Sequence, residues 1–181
     1  PQGKEQMVRI IATEPNTTLT YDPPLAGAPT TIARGGDFIE IARNPASFAV
    51  TASAKVLVAQ YMEGSSVAGN TGDPSMSLAV PVEQYRSEYL FHAPTNYEVN
   101  YVNVTAPNCA VVTLDGNAVA GFVPIGASNF SVARVQLDNG GDGTSLLRRN
   151  APGEGNTSEP VWRFVKTVDD AGANHTPGGA Y

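Results

Sequence analysis

Apolar positions in this chain fall in short runs rich in Val, Ile, Thr, Tyr and Phe, each closed by a cluster of Gly, Pro or Asn. That punctuation marks an all-β chain: β-branched and aromatic side chains suit a pleated surface, and glycine and proline interrupt it. The runs predict strands over residues 7–13, 17–21, 30–33, 38–42, 47–51, 56–62, 77–80, 89–93, 97–104, 110–114, 132–137 and 162–168, with a poorer one near 145–148. No segment holds a helical period of useful length. Residues 81–89 have room for one short helical turn, with Pro81 preset at its first position.

Two runs are informative in detail. Val56-Leu57-Val58-Ala59 is apolar on both faces, the pattern of a central strand. In the 97–104 run, Tyr97, Val99 and Tyr101 share an apolar face with Glu98 and Asn100 opposite. Then the phase changes, so that Asn103 joins the apolar face while Val102 and Val104 join the polar one. The change indicates a bulge or a strand covered on both faces. Asp115-Gly116 is a tight-turn signal, Gly116 supplying positive φ and Asn117 tolerating it. Arg34-Gly35-Gly36-Asp37 separates two strands in the same way, and Asp22-Pro23-Pro24 ends one because proline cannot donate to a ladder.

Residues 138–160 are rich in Gly and Asn and hold no large aliphatic or aromatic side chain after Leu147, so a long mobile loop is expected there. The tail over 169–181 is polar, with Pro177-Gly178-Gly179 marking a final turn. No repeat of fixed period is present. The expected architecture is all-β: a single-domain antiparallel β-sandwich, jelly-roll-like, with long loops, spanning residues 1–181. Its opening, Pro1-Gln2-Gly3-Lys4, lacks Met and leads almost directly into a strand, as in a module excised from or forming part of a longer chain.

Composition narrows the role. Hydrophobic residues make up 41% of the 181 positions, enough for a core, while charged residues make up only 15%. The polar surface therefore relies on Thr, Ser, Asn and Gly, a profile of secreted β-proteins. A net charge of −6 argues against nucleic acid or an anionic membrane as partner, since both require a basic patch. No apolar run of ~18 residues is present to span a bilayer. The one cysteine, Cys109, sits at the mouth of a strand, where a small buried hydrophobe outweighs a reactive thiol; a bridge to another part of a longer protein is the third reading.

Candidate chemistry is sparse. His92 should point opposite Phe91, at a rim or half-buried, and His175 lies in the polar tail. No Gly-x-Ser-x-Gly elbow, His-Glu-x-x-His pair, Cys-x-x-Cys or phosphate-cradling glycine loop occurs. Glycoside hydrolysis needs two carboxylates, and nothing selects a pair from 17 acidic residues. Asp138 and Asp142, in Asp138-Asn139-Gly140-Gly141-Asp142-Gly143, offer hard oxygen ligands for calcium without the spacing of an EF-hand, and a solvated turn outweighs the metal. Asp73, in Gly72-Asp73-Pro74-Ser75-Met76, is a turn builder first. Asn-x-Ser/Thr sequons stand at Asn16, Asn103, Asn129, Asn156 and Asn174.

Taken in order, Val56–Tyr61, Gly72-Asp73-Pro74-Ser75-Met76, Pro81-Val82-Glu83-Gln84-Tyr85 and Asn100-Tyr101-Val102-Asn103-Val104 resemble the N-terminal-type domain of the IgGFc-binding protein family. Thr17–Tyr21, Leu114-Asp115-Gly116 and Val132–Val135 fit the same pattern, so the likeness runs roughly from Val8 to Leu137. Domains that look like this occur as β-rich modules in mucus-associated animal proteins and in bacterial surface or secreted proteins. After Leu137 the sequence departs from the family pattern, the tract 146–159 most of all, while Val161–Val165 and Pro177-Gly178-Gly179 stand for the closing strand and turn.

Residues and resemblance together imply an extracellular or cell-surface, non-catalytic module for adhesion or structure. Its expected partners are other proteins or copies of itself, with surface glycans as a further class. Asp73, Glu83 and Arg86 are the contact candidates; the competing reading is that they fix their loop by hydrogen bonds and an ion pair. A carbohydrate-binding module is the alternative, to be distinguished by exposed Tyr or Trp on one face. A secreted hydrolase is the third reading.

Overall fold

A computed structural model of the chain describes residues 5–62, 76–93, 95, 99–137, 143–150 and 162–168; of Val99, Asn150 and residues 162–168 it describes the backbone alone. The fold is all-β, built from antiparallel sheets in the manner of a sandwich. The chain divides into two compact units: Pro1–Ala79 with Ile125–Ser128, and Val80–Pro124 with Asn129–Tyr181.

The first unit contains β1 (Gln6–Ala12), β2 (Thr17–Asp22), β3 (Thr31–Ile32), β4 (Phe38–Asn44), β5 (Ala49–Ala52), β6 (Val56–Met62) and β7 (Met76–Leu78). They form a four-stranded sheet in the order β4-β1-β6-β7 and a three-stranded sheet in the order β3-β2-β5. Strict alternation in β1 sends Val8, Ile10 and Ala12 inward, where they pack with Leu19 of β2, Ile32 of β3 and Ile41 of β4. Ile10 is fully buried, a contribution of about 2 kcal/mol from its side chain alone. β6 pairs with β1 without a break from Gln6↔Met62 to Ala12↔Val56 and carries β7 on its other edge, so its central place agrees with its apolar pattern. Its Leu57, however, is 44% exposed.

Two close approaches fix loops of this unit. A Cβ on Gly35 would lie 2.8 Å from the carbonyl oxygen of Thr13, and Gly36 takes φ +88°, which only glycine adopts without cost. The segment Ile125–Ser128 returns to this unit from the later chain. Asp22 Oδ1 accepts the Ala127 N–H at 3.0 Å, and a Cβ on Gly126 would fall 2.1 Å from that same oxygen.

The second unit contains a 3₁₀ turn (Val82–Gln84), β8 (Glu88–His92), β9 (Val99–Pro107), β10 (Val111–Leu114), β11 (Asn117–Ala118), β12 (Val123–Pro124), β13 (Phe130–Leu137), β14 (Thr144–Asn150) and β15 (Trp162–Val168). Its sheets run β11-β10-β14-β8 and β12-β13-β9-β15. Phe91, Val102, Val104, Val112, Leu137 and Leu147 form the core.

Here the structure corrects several readings. β9 has no bulge: its pairing with β13 is continuous from Phe130↔Pro107 to Leu137↔Asn100. Asn100, Val102, Val104 and Ala106 all face inward, at 1%, 0%, 0% and 1% exposure. The apparent change of phase arose from assigning Asn100 outward by polarity; the strand keeps one phase and buries the asparagine. At the Asp115-Gly116 turn, positive φ falls on Asp115 (50°) and Gly116 (82°), one residue earlier than the pair Gly116-Asn117. Asn117 instead begins β11. Cys109 is exposed, with φ 68°, because the β9–β10 turn places it at its apex rather than against the core. The poorer strand expected near 145–148 is present and longer: β14 extends from Thr144 to Asn150 and lies between β10 and β8.

Candidate functional site

Residues directly opposite one another in an antiparallel sheet project from the same face. In the sheet β4-β1-β6-β7, the inward positions of β1 are even-numbered, so Met7, Arg9 and Ile11 lie on the outward face. Register then builds that face in three rows. Ile11 is flanked by Phe38 and Leu57; Arg9 is flanked by Glu40 and Ala59, with Leu78 beyond; Tyr61 is flanked by Met7 and Met76. Four large apolar side chains here face solvent: Phe38 at 53%, Leu57 at 44%, Met76 at 49% and Leu78 at 50%.

Arg9 organises the middle of the face. Its guanidinium lies 4.5 Å from the centroid of the Phe38 ring and 5.5 Å from that of Tyr61, within cation–π range of both. Its Nε donates to Glu40 Oε1 at 2.9 Å, and Nη2 donates to the same oxygen. That hydrogen bond is the main reason its pKa stands above the ordinary arginine value. Beside it, Ala59 is buried at 3% exposure by its larger neighbours. The face combines aromatic, Met and Arg side chains, the types enriched at protein contact surfaces, with exposed leucines and one compensated ion pair.

Other surfaces of the described residues differ. A shallow cleft of about 380 Å³ lies between the loop Pro24–Pro29 and Glu40–Asn44. In the second unit, Leu90 (68%) and Val111 (46%) lie on strands that β14 separates, with the Arg148–Glu88 ion pair on β14 and β8. Among the described residues, no three His, Cys, Asp or Glu side chains come together as metal ligands.

The contact candidates read from the sequence are placed as follows. Glu83 lies in the 3₁₀ turn Val82–Gln84 and Arg86 shortly after it, both exposed, with no ion pair drawn between them. Aromatic and hydrogen-bonding contacts hold this segment: Tyr85 meets Phe130 edge to face at 5.9 Å, the Arg86 N–H donates to the Tyr89 hydroxyl at 3.0 Å, and the Arg149 N–H donates to the Ser87 carbonyl at 2.8 Å. Burial, then the neighbouring Tyr89 and Glu83, push the Tyr85 phenol up to about 12. His92 is exposed and opposite in face to Phe91, which is 4% exposed. Asp73, Asp138, Asp142 and His175 lie outside the described residues.

The outward sheet face was not singled out from the sequence. Its signal was the same one that marked β6 as central, apolar residues on both faces of Val56–Ala59, and the alternating Met7 and Ile11 of β1.

The chain belongs to the IgGFc binding protein family, whose model matches residues 1–158. The match extends past Leu137 into the tract that had looked divergent, and ends before the segment taken for the closing strand. The family is described by binding rather than by a reaction. No curated protein and no solved structure matches the chain.

Proposed function

We propose that the chain is an extracellular, non-catalytic module for adhesion or structure, acting by protein–protein contact through the outward face of β4-β1-β6-β7. One observation carries this reading: Phe38, Leu57, Met76 and Leu78, all well exposed, share a single face of a single sheet. Scattered exposed apolar residues are ordinary; a contiguous patch is the mark of an interaction site. Membership of a family described by IgG Fc binding supports a protein ligand. Carbohydrate is less well supported, because the rings of this face, Phe38 and Tyr61, stack on Arg9. Glu83 and Arg86, beside the exposed Val80 and Val82, are proposed as a subsidiary contact. The two units are proposed to work as one module, since Ile125–Ser128 completes the first unit from within the later chain.

The test is a binding panel of extracellular proteins, including the Fc fragment of immunoglobulin G, run beside a glycan array. The wild type should bind a protein ligand, and the double variant Leu57→Glu/Leu78→Glu should lose at least tenfold in affinity, about 1.4 kcal/mol. Binding confined to glycans and indifferent to those substitutions would overturn the reading.

A further inference from the structure

We propose that the free edge of β4, with the cleft beside it, binds an extended peptide segment of a partner protein, one whose carboxylate side chain meets Arg43. This second site goes beyond the outward face and stands on different observations.

Hydrogen-bond phase defines the edge. Ala12 donates its N–H to the Asp37 carbonyl at 3.1 Å, and its own carbonyl accepts the Gly36 N–H at 2.8 Å. The even residues of β1 therefore turn their backbone groups toward β4. Through the register Val8↔Ile41 and Ile10↔Ile39, the odd residues of β4 answer them. Phe38 and Glu40 then direct both N–H and C=O away from β1. β4 is the outermost strand of its sheet among the described residues, and these backbone groups take no partner there. Such a row is a template for one more strand.

The cleft of about 380 Å³ lies along this edge. It touches five successive residues, Glu40 to Asn44. Side chains of a strand alternate between faces, so a cavity that meets each residue in turn lies against the backbone. Its opposite wall is the loop Pro24–Pro29. That wall is set in advance: the Tyr21 hydroxyl donates to the Pro29 carbonyl at 2.6 Å, and the Ala28 N–H donates to the Leu25 carbonyl at 3.2 Å. The loop holds only Pro, Leu, Ala and Gly, so its polar groups are main-chain groups. A cleft built this way recognises a peptide backbone.

Arg43 sets the chemistry of the partner. Between Gln6↔Asn44 and Val8↔Ile41, one residue of β1 faces two of β4, a bulge in which Arg43 takes φ 51°. Glycine or asparagine would adopt that conformation at less cost, so the backbone does not account for an arginine here. Its side chain is exposed, lines the cleft and makes no ion pair among the described residues. Glu40, the acid lining the cleft, is already held by Arg9. The net charge of −6 is spread over the whole chain and is screened beyond ~8 Å, so the nearby guanidinium governs the contact.

Amide–water exchange, read by NMR on the whole chain, tests this. The probes are capped hexapeptides of alternating Thr and Val in which one residue is replaced by Asp, or by Lys as control. The Asp probe at about 1 mM should slow exchange at the Phe38 and Glu40 amides about fivefold, as a dissociation constant on the order of 250 µM implies, and the Lys probe much less. N-methylation of alternate probe residues should abolish protection in one of its two phases, because one edge of the peptide makes the ladder. Arg43→Gly, which keeps the positive φ and so the bulge, should weaken the Asp probe about threefold with the circular dichroism unchanged. No protection at these amides by any probe would overturn the proposal and leave the bulge and Arg43 as guards against edge-to-edge aggregation. So would an Arg43→Gly variant that binds the Asp probe as well as the wild type, or protection that survives N-methylation in both phases.

Discussion

Tyr85 shows how a single side chain can report on the fold. Burial, chiefly, raises its phenol to about 12, against an unfolded value of ~10. The neutral form is the one the folded state favours, so this contribution is complete below pH ~10 and is lost as pH rises toward 12. Urea unfolding should show the wild type losing up to roughly 2 kcal/mol across that window, and Tyr85→Phe should flatten most of the loss. An unchanged slope in the variant would remove Tyr85 as the cause. Asp22 and Gly126 give a second case. Gly126 takes φ +55° with the Asp22 carboxylate where a Cβ would sit, so Gly126→Ala should cost about 2–3 kcal/mol in chemical denaturation. Asp22→Ala, which only removes the acceptor of the Ala127 N–H, should cost about 1 kcal/mol. Equal costs for the two would mean that the hydrogen bond, not the steric fit, anchors the return segment.

Among the strands, β14 is the instructive one. Its sequence, Thr-Ser-Leu-Leu-Arg-Arg-Asn, is short of β-branched residues and sits beside a Gly-rich stretch, so propensity places at most a poor strand there. Pairing on both edges, with β10 and β8, and the complete burial of Leu147 outweigh that local signal. Leu147→Ala should therefore destabilise by about 2–5 kcal/mol in thermal or urea unfolding; a cost below about 0.5 kcal/mol would show that β14 is peripheral. β9 teaches the converse lesson. Its inward face was misassigned because Asn100 is polar, although the run Val102, Val104, Ala106 already had the right period. Strands whose alternation is apolar, such as β1, are legible in both extent and face; β9, which buries an amide, is legible as a strand but not in its inward face, and β14, which leans on tertiary pairing, only as a shorter and poorer strand. The same holds for the site. Glu83 and Arg86 attract attention as charges, yet the denser surface is made of Leu, Met and Phe side chains that look like core residues until register shows which face they share.

A chain of the IgGFc binding protein family with 15% charged residues and a net charge of −6 presents a neutral, apolar sheet face in its first unit. The claim that this face is where another protein sits is tested most directly by hydroxyl-radical footprinting, free and bound. The bound state is taken with the ligand found in the panel. Modification of Phe38, Leu57, Tyr61 and Met76 should fall severalfold on binding, while Leu90 and Val111 of the second unit keep their free-state reactivity. Protection at Leu90 and Val111, with Phe38 and Met76 still fully reactive, would contradict it.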